Sequence, residues 1–144
     1  MLLSWEKPVL NIKTSIGGLT AYRGRVGQLS FIMHRLTGLG TLFFLAIHIL
    51  DTSTVYFYPS LYSHAIDIYR STPFMILEIF LVFSVIYHGV NGARIALFDL
   101  FSPKRWRTGL QSRSALFTLA LALALWLPAA FLMTRSLLVN NFGW

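Results

Sequence analysis

The chain contains no cysteine and very few acidic residues, and both shortages narrow the kinds of protein it can be. Without cysteine, this chain alone builds no disulfide framework, no thiolate zinc site and no cysteine-bound iron–sulfur cluster. Asp and Glu together number 5, and all charged residues make up 12% of the sequence. Any metal must therefore bind through other ligands, and little charge is available to solvate the surface of a soluble protein.

Apolar residues are correspondingly abundant. Of the 144 residues, 56% are hydrophobic, which is more than a small soluble fold can enclose. No internal repeat or linker divides the chain, so we expect residues 1–144 to form a single membrane-anchor domain. The predicted fold class is an all-α integral membrane protein.

Three segments are long enough to cross a hydrocarbon core, which needs about 20 helical residues. They cover approximately residues 29–50, 72–99 and 114–134. The stretch "DTSTVYFYPSLYSHAIDIYRS" between the first two is rich in tyrosine, which is typical of the membrane interface and of a short surface helix.

The net charge of +7 raises the possibility of nucleic-acid binding, but no basic helical face or RNA-binding signature accompanies it. We therefore expect no nucleic-acid partner. By the positive-inside rule, the charge predicts a cytoplasmic N-terminus and an external C-terminus. The basic residues that carry this prediction precede the first span and separate the second from the third: Lys7, Lys13, Arg23, Arg25, Lys104, Arg105, Arg107 and Arg113. The membrane that we expect is a bacterial cytoplasmic membrane.

Histidines within the spans need an explanation, because ionisable groups at membrane depth are costly. His34 and His48 are 14 residues apart, about 21 Å along one helix face. His88 has small or polar neighbours at helical spacing, which leaves room for a flat, bulky group. Neutral imidazole is the usual axial ligand of a non-covalently bound b-type haem. The alternative is a histidine that only hydrogen-bonds a neighbouring helix, and the glycines of "RLTGLG" and "GVNG" are equally compatible with simple close packing.

Two motifs together resemble a known family. "SFIMHRLTG" precedes a second pattern, H-x-x-x-G-x-R-x-x-x-x-D, formed by His88, Gly92, Arg94 and Asp99. This pairing is similar to the cytochrome b membrane-anchor subunit of succinate dehydrogenase. The resemblance implies that His88 is an axial haem ligand, that Arg35 lines the quinone site, and that His34 and Arg94 lie near a haem propionate or relay protons.

The chain also departs from the family pattern. The family's quinone-site serine usually stands four residues before the arginine, where this chain has Phe31, and Ser30 lies one place earlier. We predict Ser30 as its counterpart. Ile95 replaces a histidine found in some members. "IHILDT", with His48, resembles the branch that binds two haems, so we expect His48 to ligate a second haem iron.

The function implied by the resemblance is electron transfer to quinone within the tricarboxylic acid cycle. A flavoprotein subunit would oxidise succinate and an iron–sulfur subunit would carry the electrons to the membrane. A second hydrophobic anchor subunit would complete the haem-binding helical bundle in the lipid bilayer. "FSPKRWR" is a candidate docking segment for the soluble subunits, or an ordinary positive-inside loop. Two other functions remain open: a haem-free anchor or transporter subunit, and the anchor of a fumarate reductase.

Overall fold

The computed structural model describes residues 26–101 and 108–143, and these residues are almost entirely helical. The helices are α1 (Val26–Phe57), α2 (Pro59–Tyr69), α3 (Thr72–Phe101) and α4 (Thr108–Phe142). The described part of the chain contains no strand. The predicted all-α fold is therefore confirmed.

Three of these helices, α1, α3 and most of α4, are long and apolar enough to cross a membrane. The three predicted spans are thus confirmed, but α1 and α4 extend well beyond the predicted ranges of 29–50 and 114–134. The sequence prediction ended where polar residues begin, whereas the helices continue into that polar region with their backbone hydrogen bonds intact. Helix α2 is the short helix predicted between the first two spans.

Proline chemistry shapes the connection between the first two helices. Tyr58 leaves the helical conformation with φ −144° and ψ 73°, because a residue that precedes proline is disfavoured in the α region. Pro59 then occupies the first turn of α2, where its missing N–H breaks no helical hydrogen bond. The N–H of Arg70 donates to the carbonyl of Ile66 at 3.0 Å and closes α2 before α3 begins.

Helix α3 is the central member of the bundle, with α1 and α4 packed against it. Small side chains on α4 let α3 and α4 approach closely, which favours association of helices within a membrane. The indole N–H of Trp126 also donates to the carbonyl of Ile79 at 2.9 Å. The buried small residues of α4 follow the spacing of one helix face: Ala115, Thr118, Ala122 and Ala130.

Large apolar side chains cover the outside of the bundle. Phe43, Phe117 and Phe131 are each 70% exposed. In water such a surface would be unstable, but hydrocarbon chains or another apolar subunit solvate it well. The exterior therefore fits a bilayer, and the bundle is held by close packing and polar contacts between helices.

Two sequence predictions fall on parts of the chain outside residues 26–101 and 108–143. They are the orientation, which rests mainly on basic residues before 26 and within 102–107, and the docking role of "FSPKRWR". Both remain predictions.

Replacing Ala122 with Leu should destabilise the bundle. Ala122 is fully buried, so three added carbons must displace the neighbouring helix, at a cost of about 1–3 kcal/mol. Thermal unfolding of the detergent-solubilised protein measures this loss. The control is Ala124→Leu, an identical change at an exposed position of the same helix. Equal unfolding temperatures for the two variants would contradict the packing described here.

Candidate functional site

A buried polar cluster joins α1 to α3. The Tyr87 hydroxyl donates to Oγ of Ser30 at 3.2 Å, and Oγ of Ser30 donates to Oδ1 of Asn91 at 3.2 Å. Their side chains are almost completely enclosed, with Asn91 at 0% and Tyr87 at 1% exposure. Because an unpaired polar group in this apolar setting is costly, the three residues fix the register of the two helices. The cluster lies at the proximal end of the bundle, defined here as the end where α1 and α4 begin and α3 ends.

One turn further along, two histidines stack. The rings of His34 and His88 lie 4.2 Å apart, centroid to centroid, with an interplanar angle of 6°. Nδ1 of His88 is 3.1 Å from the backbone carbonyl oxygen of His34. Since a carbonyl only accepts hydrogen bonds, Nδ1 is the protonated nitrogen and Nε2 carries the lone pair. Helix α1 thus sets both the tautomer and the orientation of the His88 ring.

Glycines make room for these rings. A Cβ on Gly38 would lie 2.6 Å from Cε1 of His88, which is too close for any real side chain. A Cβ on Gly92 would lie 3.6 Å from Cε1 of His34, an ordinary contact. Glycine at position 38 is therefore required for the imidazole to rest against α1. The motif "RLTGLG" allows close packing, which was one interpretation of the sequence. The group that packs against it is the ring of His88.

His48 lies apart from this pair. Its side chain is exposed and stacks on Phe44 at 5.3 Å between ring centroids. Because Gly38 contacts His88, the two residues share one level, and His48 is 48 − 38 = 10 residues further along α1. At a rise of about 1.5 Å per residue, His48 is about 15 Å from the level of His88.

The two predicted quinone residues face different surroundings. Ser30 belongs to the buried cluster, whereas Arg35 is exposed, with its guanidinium 4.4 Å from the centre of the Phe31 ring. Five residues at 3.6 per turn place them about 140° apart around α1. The structure does not bring Ser30 and Arg35 together.

A cavity of about 370 Å³ opens beside the cluster, between α1, α3 and α4. Arg94 crosses to α4, where Nη1 donates to the carbonyl of Gln111 and to Oγ of Ser114, both at 3.4 Å. The sequence reading missed Gln111, since nothing in the sequence shows which face of α4 meets α3. The polar residues that line this proximal cavity include Ser30, His34, Asn91, Arg94 and Gln111.

The metal-binding capacity of the described residues is limited. No group of three His, Cys, Asp or Glu side chains converges within residues 26–101 and 108–143, so this part builds no multi-ligand metal centre. A single imidazole with one nitrogen fixed by a carbonyl suits a haem iron whose other axial ligand comes from elsewhere. His88 fits that requirement. Among the described residues His48 makes no side-chain hydrogen bond, and its ring stacks on Phe44.

The fold and the site together define an integral membrane protein whose long helices enclose imidazole and guanidinium groups near one end. The chain belongs to the family of succinate dehydrogenase/fumarate reductase transmembrane subunits, whose model matches residues 18–129. This match confirms the family resemblance recognised in the sequence motifs.

One characterised relative is the succinate dehydrogenase 2 membrane subunit SdhC of Mycobacterium tuberculosis strain H37Rv. The two chains are 35% identical over 83 residues, which is 58% of this chain and 61% of the relative. The aligned region thus spans under two thirds of the relative's length.

Replacing Ser30 with Ala should destabilise the helix pair by about 1–3 kcal/mol, because Asn91 and Tyr87 lose their shared partner in a buried setting. Thermal unfolding in detergent measures the loss. Ser53→Ala is the matched control, since the Ser53 hydroxyl is exposed and bonds only to Leu50 of its own helix. A Ser30→Ala variant as stable as Ser53→Ala would show that the cluster does not hold α1 against α3.

Proposed function

We propose that the chain is the cytochrome b membrane anchor of a succinate dehydrogenase, which binds haem b and contributes to the quinone-reduction site. The observation that carries this proposal is the His88 ring, held against Gly38 with Nδ1 bound to the carbonyl of His34. That bond orients the ring and leaves Nε2 as the nitrogen available to a metal. Membership of the family supports the same function.

His88 would ligate the haem iron through Nε2. The hydrogen bond at Nδ1 raises the basicity of the ring and holds it in place, as it does in other metal-ligating histidines. When bound, the haem supplies a one-electron redox centre between the iron–sulfur subunit and quinone. His34, stacked on His88 at the proximal end, is placed to contact a propionate or to carry a proton.

His48 would ligate a second haem. Its level, about 15 Å from that of His88, is compatible with two separate haems in one bundle. Because His48 is exposed, a second anchor subunit could cover it and would supply the remaining protein ligands. The chain's exposed apolar surface supports such a partner, because three spanning helices provide only part of a four-helix haem bundle.

Arg35 would bind the quinone from outside the bundle. Its guanidinium is always charged, is exposed, and lies near the proximal end, where other subunits can complete a pocket around it. From there Arg35 donates hydrogen bonds to a quinone oxygen and stabilises the negative charge that develops during reduction. Ser30 contributes indirectly by fixing the register of α1, since its hydroxyl is already bound within the cluster.

The complex would oxidise succinate on a flavoprotein subunit and pass electrons through an iron–sulfur subunit to this anchor. The named relative is a succinate dehydrogenase subunit, which favours this direction over fumarate reduction.

Replacing Gly38 with Ala should lower the haem content of the purified complex, because the added methyl group collides with the His88 ring. We expect loss of more than half of the dithionite-reducible b-type absorbance. Gly40→Ala is the control: its methyl group would meet Oγ of Ser84 at an ordinary 3.8 Å. Equal haem contents in the two variants would contradict the role given to Gly38.

Replacing Arg35 with Ala should reduce quinone reduction by about 10²-fold or more, as expected when a donor to a developing oxyanion is lost. Succinate oxidation with a soluble dye acceptor should stay within twofold, because that chemistry occurs in the flavoprotein. Arg113→Ala, which removes another exposed cation, serves as the control. Parallel loss of both activities in an intact complex would refute the quinone assignment.

A further inference from the structure

A cation and an aromatic ring form a pair on the outside of α1. The guanidinium carbon of Arg35 is 4.4 Å from the centre of the Phe31 ring, within the range at which a ring face attracts a cation. Both side chains are exposed, Phe31 at 50%. Their i, i+4 spacing puts them on one face of the helix, and helical side chains lean toward the N-terminus. Arg35 therefore reaches back onto Phe31.

The Phe31 ring is the group that holds Arg35 in place. Within residues 26–101 and 108–143, the Arg35 guanidinium makes no hydrogen bond and no ion pair. Its N–H donors are thus available to a ligand. An exposed arginine without such a contact occupies many rotamers, since its long side chain has high conformational entropy. The ring selects one position for the guanidinium on the surface of α1.

Phe31 lies between Arg35 and the buried part of the site. Around α1, His34 is about 60° from Phe31 on one side, and Arg35 is about 40° from it on the other. His34 faces inward and stacks on His88, whereas Arg35 faces outward. The Phe31 ring lines the proximal cavity together with His34 and also contacts the guanidinium. The ring thus places the cation at the edge of that cavity.

The direction of the pair is itself fixed. Ser30, the residue before Phe31, is bonded to Tyr87 and Asn91 in the buried cluster. That cluster sets the rotation of α1, and the rotation sets where Phe31 and Arg35 point. The guanidinium is consequently oriented twice, by the helix that carries it and by the ring beneath it.

We infer that Phe31 is a positioning residue for Arg35, which holds the guanidinium where a quinone oxygen meets its N–H donors. The inference rests on the proposed function, because it takes Arg35 as the quinone-binding cation. Phe31 offers no proton and no hydrogen bond to the substrate. It acts through Arg35.

The energy of the contact determines the size of the effect. At an exposed site, a cation–aromatic contact favours the held position by a factor of about 2–5. When the binding-competent position is less populated, affinity falls by the same factor, although a bound quinone still selects that position. Loss of the ring should therefore raise KM for quinone and leave kcat nearly unchanged. Loss of Arg35 should instead lower kcat, because the donor itself is gone.

The test measures succinate-dependent quinone reduction by the purified complex over a range of quinone concentrations. A short-chain benzoquinone and a short-chain naphthoquinone are compared, and the one that the wild type reduces faster is used. Phe31→Leu should raise KM about 2–5-fold with kcat within twofold. Phe31→Tyr keeps the aromatic face, so its KM should match that of the wild type. Phe31→Met should reproduce Phe31→Leu, which keeps the result interpretable if one variant assembles poorly.

Phe43→Leu is the matched control. Phe43 is a phenylalanine of the same helix, 70% exposed, and no cation of the described residues lies over its ring. Its replacement should leave KM unchanged. A double-mutant cycle supplies the second control: in an Arg35→Ala background, Phe31→Leu should change KM no further, because the group that the ring positions is absent.

The outcomes separate failure of this inference from failure of the proposed function. Equal KM values for Phe31→Leu and Phe43→Leu, with quinone reduction still lost in Arg35→Ala, would overturn the inference alone. Equal increases in KM from Phe31→Leu with and without Arg35 would also overturn it, since the ring would then contact the quinone directly. Unaltered quinone reduction in Arg35→Ala would overturn the quinone role of Arg35, and the inference with it.

Discussion

The close approach of α1 to α3 at Gly38 is the constraint on which the rest of the structure depends. With no side chain at that position, the His88 ring lies directly against the backbone of α1 and reaches the carbonyl of His34. The contact aligns the two helices and fixes which nitrogen of His88 is protonated. A single methyl group there would separate the helices or rotate the ring. The feature that permits tight packing is therefore the same one that fixes the imidazole proposed here as a haem ligand.

Inside a membrane, polar contacts between helices select one packing arrangement, which burial of apolar surface does not. The outer surface of the bundle is as apolar as its interior, so hydrophobic transfer gives little preference for one helix arrangement over another. The hydrogen-bonded cluster of Ser30, Tyr87 and Asn91 supplies that preference, because a shifted register would leave three buried groups unpaired. Arg94 extends the polar set to α4 through Gln111. The proximal end is consequently the best specified part of the protein, and the proposed quinone site and the proposed haem site at His88 lie near it.

Much of the architecture follows from the sequence, whereas the partners of individual side chains do not. The three spans were evident from apolar length, but the ends of α1 and α4 were placed too short because these helices continue into polar residues. The motif residues around His88 indicated the family without showing that Gly38 is the surface on which the ring rests. Ser30 and Arg35 are close in sequence yet point in different directions, which a linear motif does not reveal. The sequence prediction missed Gln111. Which face of α4 meets α3 depends on the contacts of small residues, and the sequence of α4 does not distinguish that face from the others.

The measurement that tests the central claim most directly is the haem content of the purified complex with and without the His88 imidazole. The account predicts b-type bands in the dithionite-reduced minus oxidised spectrum of the wild type, at two haems per complex. His88→Ala should retain one haem, and His48→Ala should retain the other. A wild-type complex without b-type bands, or a His88→Ala complex with unchanged haem content, would contradict the proposal that α3 presents His88 as a haem ligand.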